Sequence, residues 1–277
     1  MPLVKTADLV AAAHRAGTGI AAFNVITLEH AEAIVAGAQQ ARRPVILQIS
    51  ENAIKFHNGQ VKPLAAAVNA VADAADVDVS VHLDHVEELE FLYAAADAEV
   101  SSVMFDASKL DYADNLSSTR AAADWAHDRD IYLEAELGEV GGKDGAHAPG
   151  VRTDPAEAAA FVAATDVDAL AVAVGSSHAM ATRTATLDFD LIAQLKSAVP
   201  VPLVLHGSSG VADEDLRKAV SAGITKINVG TILNVAFTDA VRDYLATSGD
   251  VVDPRKYLTP ARQAIADTVA SIAAVVS

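Results

Sequence analysis

Three ionisable side chains crowd into the four residues His82-Leu83-Asp84-His85. They close an apolar alternation, Val77, Val79, Val81 and Leu83, and they precede a helix-like run from Glu87. That pattern reads as the carboxyl end of a strand. Such groups are costly to place at a buried strand end unless partners meet them there. The chain has no cysteine, so any metal site it builds must use histidine and carboxylate ligands.

Candidate partners stand at the ends of the other apolar runs. These are Asn24, then Ser50 followed by Glu51, then Asp106 and Ser108, then Glu134 and Glu136. Further along come Gly175-Ser176-Ser177-His178, His206-Gly207-Ser208-Ser209-Gly210 and Asn228-Val229-Gly230-Thr231. His85, His178 and His206 form a candidate triad for Zn²⁺, with one coordination position left for substrate or water. Asp106 and Glu136 either hold a second metal position or orient the histidines. The small residues of the last two stretches let backbone N–H groups approach a ligand, and with the hydroxyls they suit a phosphate.

The elements that must position these groups follow from periodicity. Strands are expected at 19–25, 44–49, 77–83, 101–105, 131–136, 168–174, 202–205 and 224–229. Helices are expected at 6–16, 29–42, 63–76, 87–98, 109–128, 155–165, 190–198, 213–222, 231–247 and 260–276. Asp154-Pro155 and Thr259-Pro260 each read as a cap followed by a first-turn proline. Alternating strands and helices with eight strands predict a (β/α)8 TIM barrel with extra C-terminal helices, in one domain over residues 1–277. On such a barrel the site lies at the carboxyl ends of the strands. No GxGxxG follows a strand, and no P-loop is present.

The chain of 277 residues is 52% hydrophobic with a net charge of −17. That charge argues against nucleic acid and anionic membrane as partners. A phosphorylated substrate would need local groups to overcome the same field. No long apolar run marks a transmembrane segment, and no basic, apolar leader opens the chain, so the cytoplasm is the expected compartment.

The motifs HLDH, DAS, ELGxxGG, GSSH, HGSSG and NVGT occur here in that order. Together they resemble the class II, metal-dependent ketose-bisphosphate aldolases. The tail, Asp253-Pro254-Arg255-Lys256-Tyr257-Leu258 with Pro260-Ala261-Arg262, is also similar. The resemblance spans nearly the whole chain. It implies a zinc-dependent barrel, a homodimer or homotetramer, that reversibly cleaves a fructose or tagatose 1,6-bisphosphate. The products would be dihydroxyacetone phosphate (DHAP) and glyceraldehyde 3-phosphate. Carried over by position, Asp84 is the proton donor to the aldehyde oxygen. His85, His178 and His206 are the zinc ligands, and Asp106 and Glu136 form the alternative metal position. Ser50, Ala179, Gly207, Ser208, Ser209, Asn228, Val229, Gly230 and Thr231 contact substrate, and Arg255 meets the distal phosphate, either in its own chain or across a dimer interface. Whether a monovalent cation assists is left open.

The chain departs from the family pattern in three places. Gly141-Gly142-Lys143-Asp144-Gly145 stands for a usual GGxED, which leaves Asp144 as the candidate to take the DHAP proton. Ala179 stands where glycine is common, and Gly230 stands where fructose-type members often carry Asp. The second feature of interest is lysine. The stretch 166–183 has none, and Lys226 inside the eighth strand reads as structural, so a Schiff-base aldolase is the weaker reading. A metal-dependent hydrolase would want an HxH pair on the first strand, which here ends Phe23-Asn24-Val25. A non-catalytic phosphosugar-binding barrel, or an aldolase for another phosphorylated ketose, are the remaining alternatives.

Overall fold

A computed structural model describes residues 2–137, 152–177 and 180–277. Eight parallel strands close into a barrel in chain order. They are β1 (Ile20–Asn24), β2 (Val45–Ser50), β3 (Val79–Val86), β4 (Ser102–Phe105), β5 (Tyr132–Glu136), β6 (Ala169–Ala171), β7 (Leu203–Leu205) and β8 (Ile224–Val229). The helices are α1 (Thr6–Ala16), α2 (Leu28–Ala41), α3 (Glu51–Phe56), α4 (Val61–Asp73), α5 (Leu89–Asp97), α6 (Tyr112–His127), α7 (Pro155–Thr165), α8 (Phe189–Ala198), α9 (Asp213–Ala222), α10 (Thr231–Thr247) and α11 (Pro254–Val276). This is a TIM barrel with additional C-terminal helices. Among the described residues no helix is long and apolar enough to cross a membrane.

Away from the irregularities in β3 and in the β7–β8 pairing, side chains alternate along the strands. Val79, Val81 and Leu83 of β3, Leu133 and Ala135 of β5, and Ile227 and Val229 of β8 belong to one large core under the helices. The intervening residues Ser80, His82 and Asp84, Glu134 and Glu136, and Lys226 and Asn228 are also buried. They point into the barrel, because successive side chains on a strand take opposite faces. The interior is therefore polar towards the carboxyl ends. Its floor is apolar: Leu9 and Val10 of α1 pack on Ile20, Ala22 and Ile46 and close that end.

The alternation of elements and most of their bounds agree with the sequence reading, with three corrections. β3 continues to Val86, so Asp84 and His85 lie inside the strand rather than after it. A short helix, α3, follows β2 directly, capped by the Ser50 hydroxyl, which accepts from Ala53 N–H at 3.2 Å. The last helix starts at Pro254, not Pro260. Asp253 supplies the cap to Arg255 N–H, and Pro260 sits within the helix. Both Asp-Pro and Thr-Pro carry the start signal, and the carboxylate cap at the earlier one prevails. α11 packs closely on α2 at Gly37, where an added Cβ would lie 2.3 Å from the Ala266 carbonyl oxygen.

Candidate active site

The site begins with an irregularity in β3. Its register against β4 shifts between Leu83 and Val86, and His85 has φ +50°. A regular strand would send Asp84 and His85 to opposite faces. The bulge turns His85 so that both adjacent side chains reach the barrel mouth. A histidine in the left-handed region costs on the order of 1–3 kcal/mol, which the surrounding contacts must offset. Part of that restraint comes from Glu51, whose carboxylate accepts from Glu87 N–H at 2.7 Å and Glu88 N–H at 3.0 Å.

His85 and His206 meet at the mouth. His85 Nε2 and His206 Nδ1 are 3.0 Å apart, and the rings stand edge to face at 83°. Each ring is anchored on its far side by a carboxylate. His85 Nδ1 lies 2.7 Å from Asp106 Oδ2, and His206 Nε2 lies 3.0 Å from Glu134 Oε1. Assigned from these partners, each anchored nitrogen carries a proton, and the two facing nitrogens can share one positive charge, either a further proton on His85 or a metal cation. A divalent cation is the alternative to that proton. Tetrahedral zinc sites with Zn–N bonds of ~2.0–2.1 Å separate their nitrogens by roughly 3.3 Å. The donor set therefore fits a divalent ion held by nitrogen and oxygen.

The electrostatics agree. Burial would lower the His85 imidazole, but the Asp84, Asp106 and Glu136 carboxylates outweigh it and raise it to about 10. Groups that favour a proton on that ring also favour a divalent cation in its place. Burial would likewise raise Asp106; its bond to His85 and two donors from Ser108, at 3.1 and 2.6 Å, hold it well below the usual carboxylate range. Two overlapping groups can supply ligands, Asp84 with His85 and His206, and His85 with Asp106 and Glu136. Within each group the ligand atoms lie within 4.8 Å of one another.

Asp84 is the buried acid of the site. Burial pushes its carboxyl up from the usual range, because the charged form loses solvation there. Three amides approach it: Asn228 Nδ2 at 3.2 Å, Gln48 Nε2 at 3.4 Å and Asn24 Nδ2 at 3.5 Å. A carboxyl group raised in this way takes up and returns a proton more readily than an exposed one.

The class II fructose-bisphosphate aldolase family profile matches residues 4–277. The chain belongs to that family. It is 31% identical to the YdjI aldolase of Escherichia coli K12, over 99% of this chain and 97% of that one, with a TM-score of 0.87. A fructose-bisphosphate aldolase of Campylobacter jejuni shares the fold at 23% identity, over 99% and 95% of the two chains, with a TM-score of 0.84. The protein is thus a class II, divalent-metal-dependent aldolase.

In this aldolase the structure brings together Asp84, His85, Asp106, Glu136, His206 and Asn228. Gly207 has φ +66°, and a Cβ there would lie 2.5 Å from the Ser177 carbonyl oxygen, so glycine is required. Ser209 Oγ accepts from Ile232 N–H at 3.1 Å and ties the loop after β7 to the start of α10. The Ser208 hydroxyl donates to the Leu205 carbonyl at 3.2 Å. Gly230 packs against Asn24, whose Oδ1 would be 2.8 Å from an added Cβ. The Val229 side chain belongs to the outer core, so only its backbone can face a ligand. Thr231 opens α10. Arg255 does not join this group; it is 86% exposed, with its guanidinium on Asp253. His178, Ala179 and the loop Gly141 to Gly145 with Asp144 lie outside the described residues.

Sequence reasoning undervalued the groups behind the first contacts. Glu134 appeared only as a polar strand end, and Lys226 only as structural. Gln48 was passed over, although a lone amide in the apolar run Val45-Ile46-Leu47-Gln48-Ile49 is the signal that could have found it.

Proposed function

We propose that this aldolase, acting as one domain over residues 1–277, reversibly cleaves a ketose 1,6-bisphosphate of the fructose or tagatose type. The products are DHAP and glyceraldehyde 3-phosphate, the ion is Zn²⁺, and the setting is the cytoplasm as a homodimer or homotetramer. The observation that supports this reading is the buried Asp84 beside two carboxylate-anchored histidines whose facing nitrogens lie 3.0 Å apart.

His85, His178 and His206 would hold the ion, with Asp106 and Glu136 offering an alternative position. A divalent ion there supplies Lewis-acid stabilisation for the negative charge left on the ketone half of the substrate. In cleavage, Asp84 takes the proton from the carbon-4 hydroxyl, that oxygen becomes the aldehyde carbonyl, and the carbon 3–carbon 4 electron pair stays on carbon 3, which then gains a proton, with Asp144 as the candidate donor, to give DHAP. In synthesis Asp84 returns the proton to the aldehyde oxygen. Asn228 and Gln48 orient its carboxyl group. Backbone N–H groups of Gly207 to Ser209 and Asn228 to Thr231, with the Ser209 and Thr231 hydroxyls, bind the DHAP phosphate, and Ser50 contacts the sugar.

The pairing of Arg255 with Asp253 favours a second reading, in which the substrate is another phosphorylated ketose whose distal end carries no phosphate. Comparing kcat/KM on fructose 1,6-bisphosphate, tagatose 1,6-bisphosphate and a ketose 1-phosphate tests both. Preference for either bisphosphate, reduced by Arg255→Ala, supports the first. Preference for the monophosphate, indifferent to that substitution, supports the second. Turnover of none of the three would overturn the bisphosphate reading.

A further inference from the structure

Lys226 of β8 and Glu134 of β5 face each other across the barrel interior, with Nζ 2.8 Å from Oε2, and both side chains are 0% exposed. Burying an ion pair is a poor source of stability, since desolvation offsets most of the attraction. Barrel interiors are more often filled by branched apolar residues. The pair therefore calls for a reason other than packing. Its geometry supplies one, because the second carboxylate oxygen, Oε1, lies 3.0 Å from His206 Nε2.

The surroundings leave Glu134 committed to that task. His82 Nε2 is 4.0 Å from Oε2, beyond a hydrogen bond, and its Nδ1 is held by the Ser102 hydroxyl at 2.9 Å. Burial, then the neighbouring Lys226 charge, keep His82 neutral, so it adds no competing cation. Asn228 Nδ2 donates to Asp84 Oδ1 at 3.2 Å and lies 3.1 Å from His206 Nε2; with the Nε2 proton given to Glu134, that second approach is a packing contact and not a hydrogen bond. Lys226 holds one carboxylate oxygen and the other faces His206.

We propose that Lys226 and Glu134 act together as positioning residues for His206. They fix its ring plane and keep its proton on Nε2, so that Nδ1 is presented to the metal. This rests on the reading of His206 as a metal ligand. It gives Lys226 a role in metal affinity rather than in Schiff-base chemistry.

The test is Zn²⁺ affinity of the full chain, stripped of metal and titrated against a chromophoric chelator, with circular dichroism on every variant. His206→Ala sets the scale. Unchanged affinity in that variant would overturn the ligand reading, and this proposal with it. Glu134→Leu with Lys226→Met removes both charges together and strands neither. It should weaken Zn²⁺ binding about 10- to 100-fold. Glu134→Gln with Lys226→Met keeps a carbonyl oxygen for the Nε2 proton and should recover most of that loss. A folded leucine double variant that binds Zn²⁺ like the parent, while His206→Ala does not, would sink the positioning role alone. Should the leucine variant fail to fold, imidazole ¹⁵N spectra of the zinc-loaded parent decide. A proton on His206 Nε2 upholds the proposal, and metal on Nε2 overturns it.

Discussion

His85 and His206 come from strands on different sides of the barrel, yet their Nε2 and Nδ1 atoms converge to 3.0 Å while a buried carboxylate holds the far nitrogen of each ring. Two imidazoles so anchored form half a metal site before any metal arrives. A chelator should therefore abolish activity, and added Zn²⁺ should restore it. Borohydride reduction with DHAP should leave the protein unlabelled, because Lys226 is committed to Glu134. Mass spectrometry showing a reduced adduct on a lysine would refute the metal route.

Asp84→Ala should lower kcat by roughly 10²–10⁴, the range expected for loss of a positioned acid–base group. The histidine anchors do not depend on Asp84, so the variant should still bind Zn²⁺ in stoichiometric amount. Normal cleavage by this variant would reassign the proton transfer.

Glu51 clasps the turn after β3 through Glu87 N–H, Glu88 N–H and Lys55 Nζ at 2.7 Å. Burial would raise its carboxyl, but the Lys55 bond and the two N–H donors outweigh that and lower it from the usual 4.5. A lowered folded-state value means the stabilisation is fully present above 4.5 and is lost as pH falls through the folded value. Glu51→Gln should cost about 1.5–3 kcal/mol near neutral pH, the range for hydrogen bonds to a charged group. Urea melts at several pH values check this. The gap from the parent should hold constant from neutral pH down to mildly acidic conditions and close under strong acid. A gap that widened in acid would contradict the assignment.

Gly37 lets α11 lie against α2. Gly37→Ala would set a methyl group against the Ala266 carbonyl and the Val269 side chain, the latter at 2.8 Å. Overpacking of this kind costs roughly 1–3 kcal/mol. Calorimetry should show a lower Tm, with metal affinity unchanged because the helix pair lies outside the barrel. An unaltered Tm would mean the two helices can separate without penalty.

Much of this aldolase was legible in its sequence because local rules decide it. Alternation in Val79-Ser80-Val81-His82-Leu83-Asp84 fixes both the strand and which side chains share its inner face. Asp154-Pro155 starts α7 as expected, with Asp154 accepting from Ala156 and Glu157 N–H. His85, His206, Asp106 and Glu136 were recognisable from residue type at strand ends. Local rules fail where two signals compete, as at Asp253-Pro254 and Thr259-Pro260, and where a side chain's direction depends on a bulge, as at His85. They also say nothing of partners brought together by closure. Glu134 and Lys226 are 92 residues apart, and His85 and His206 are 121 apart. Residue order set the elements and the kinds of group at each strand end. Only closing the eight strands into a ring determined which of those groups touch, because a contact across the barrel depends on curvature and register that no short stretch of chain contains.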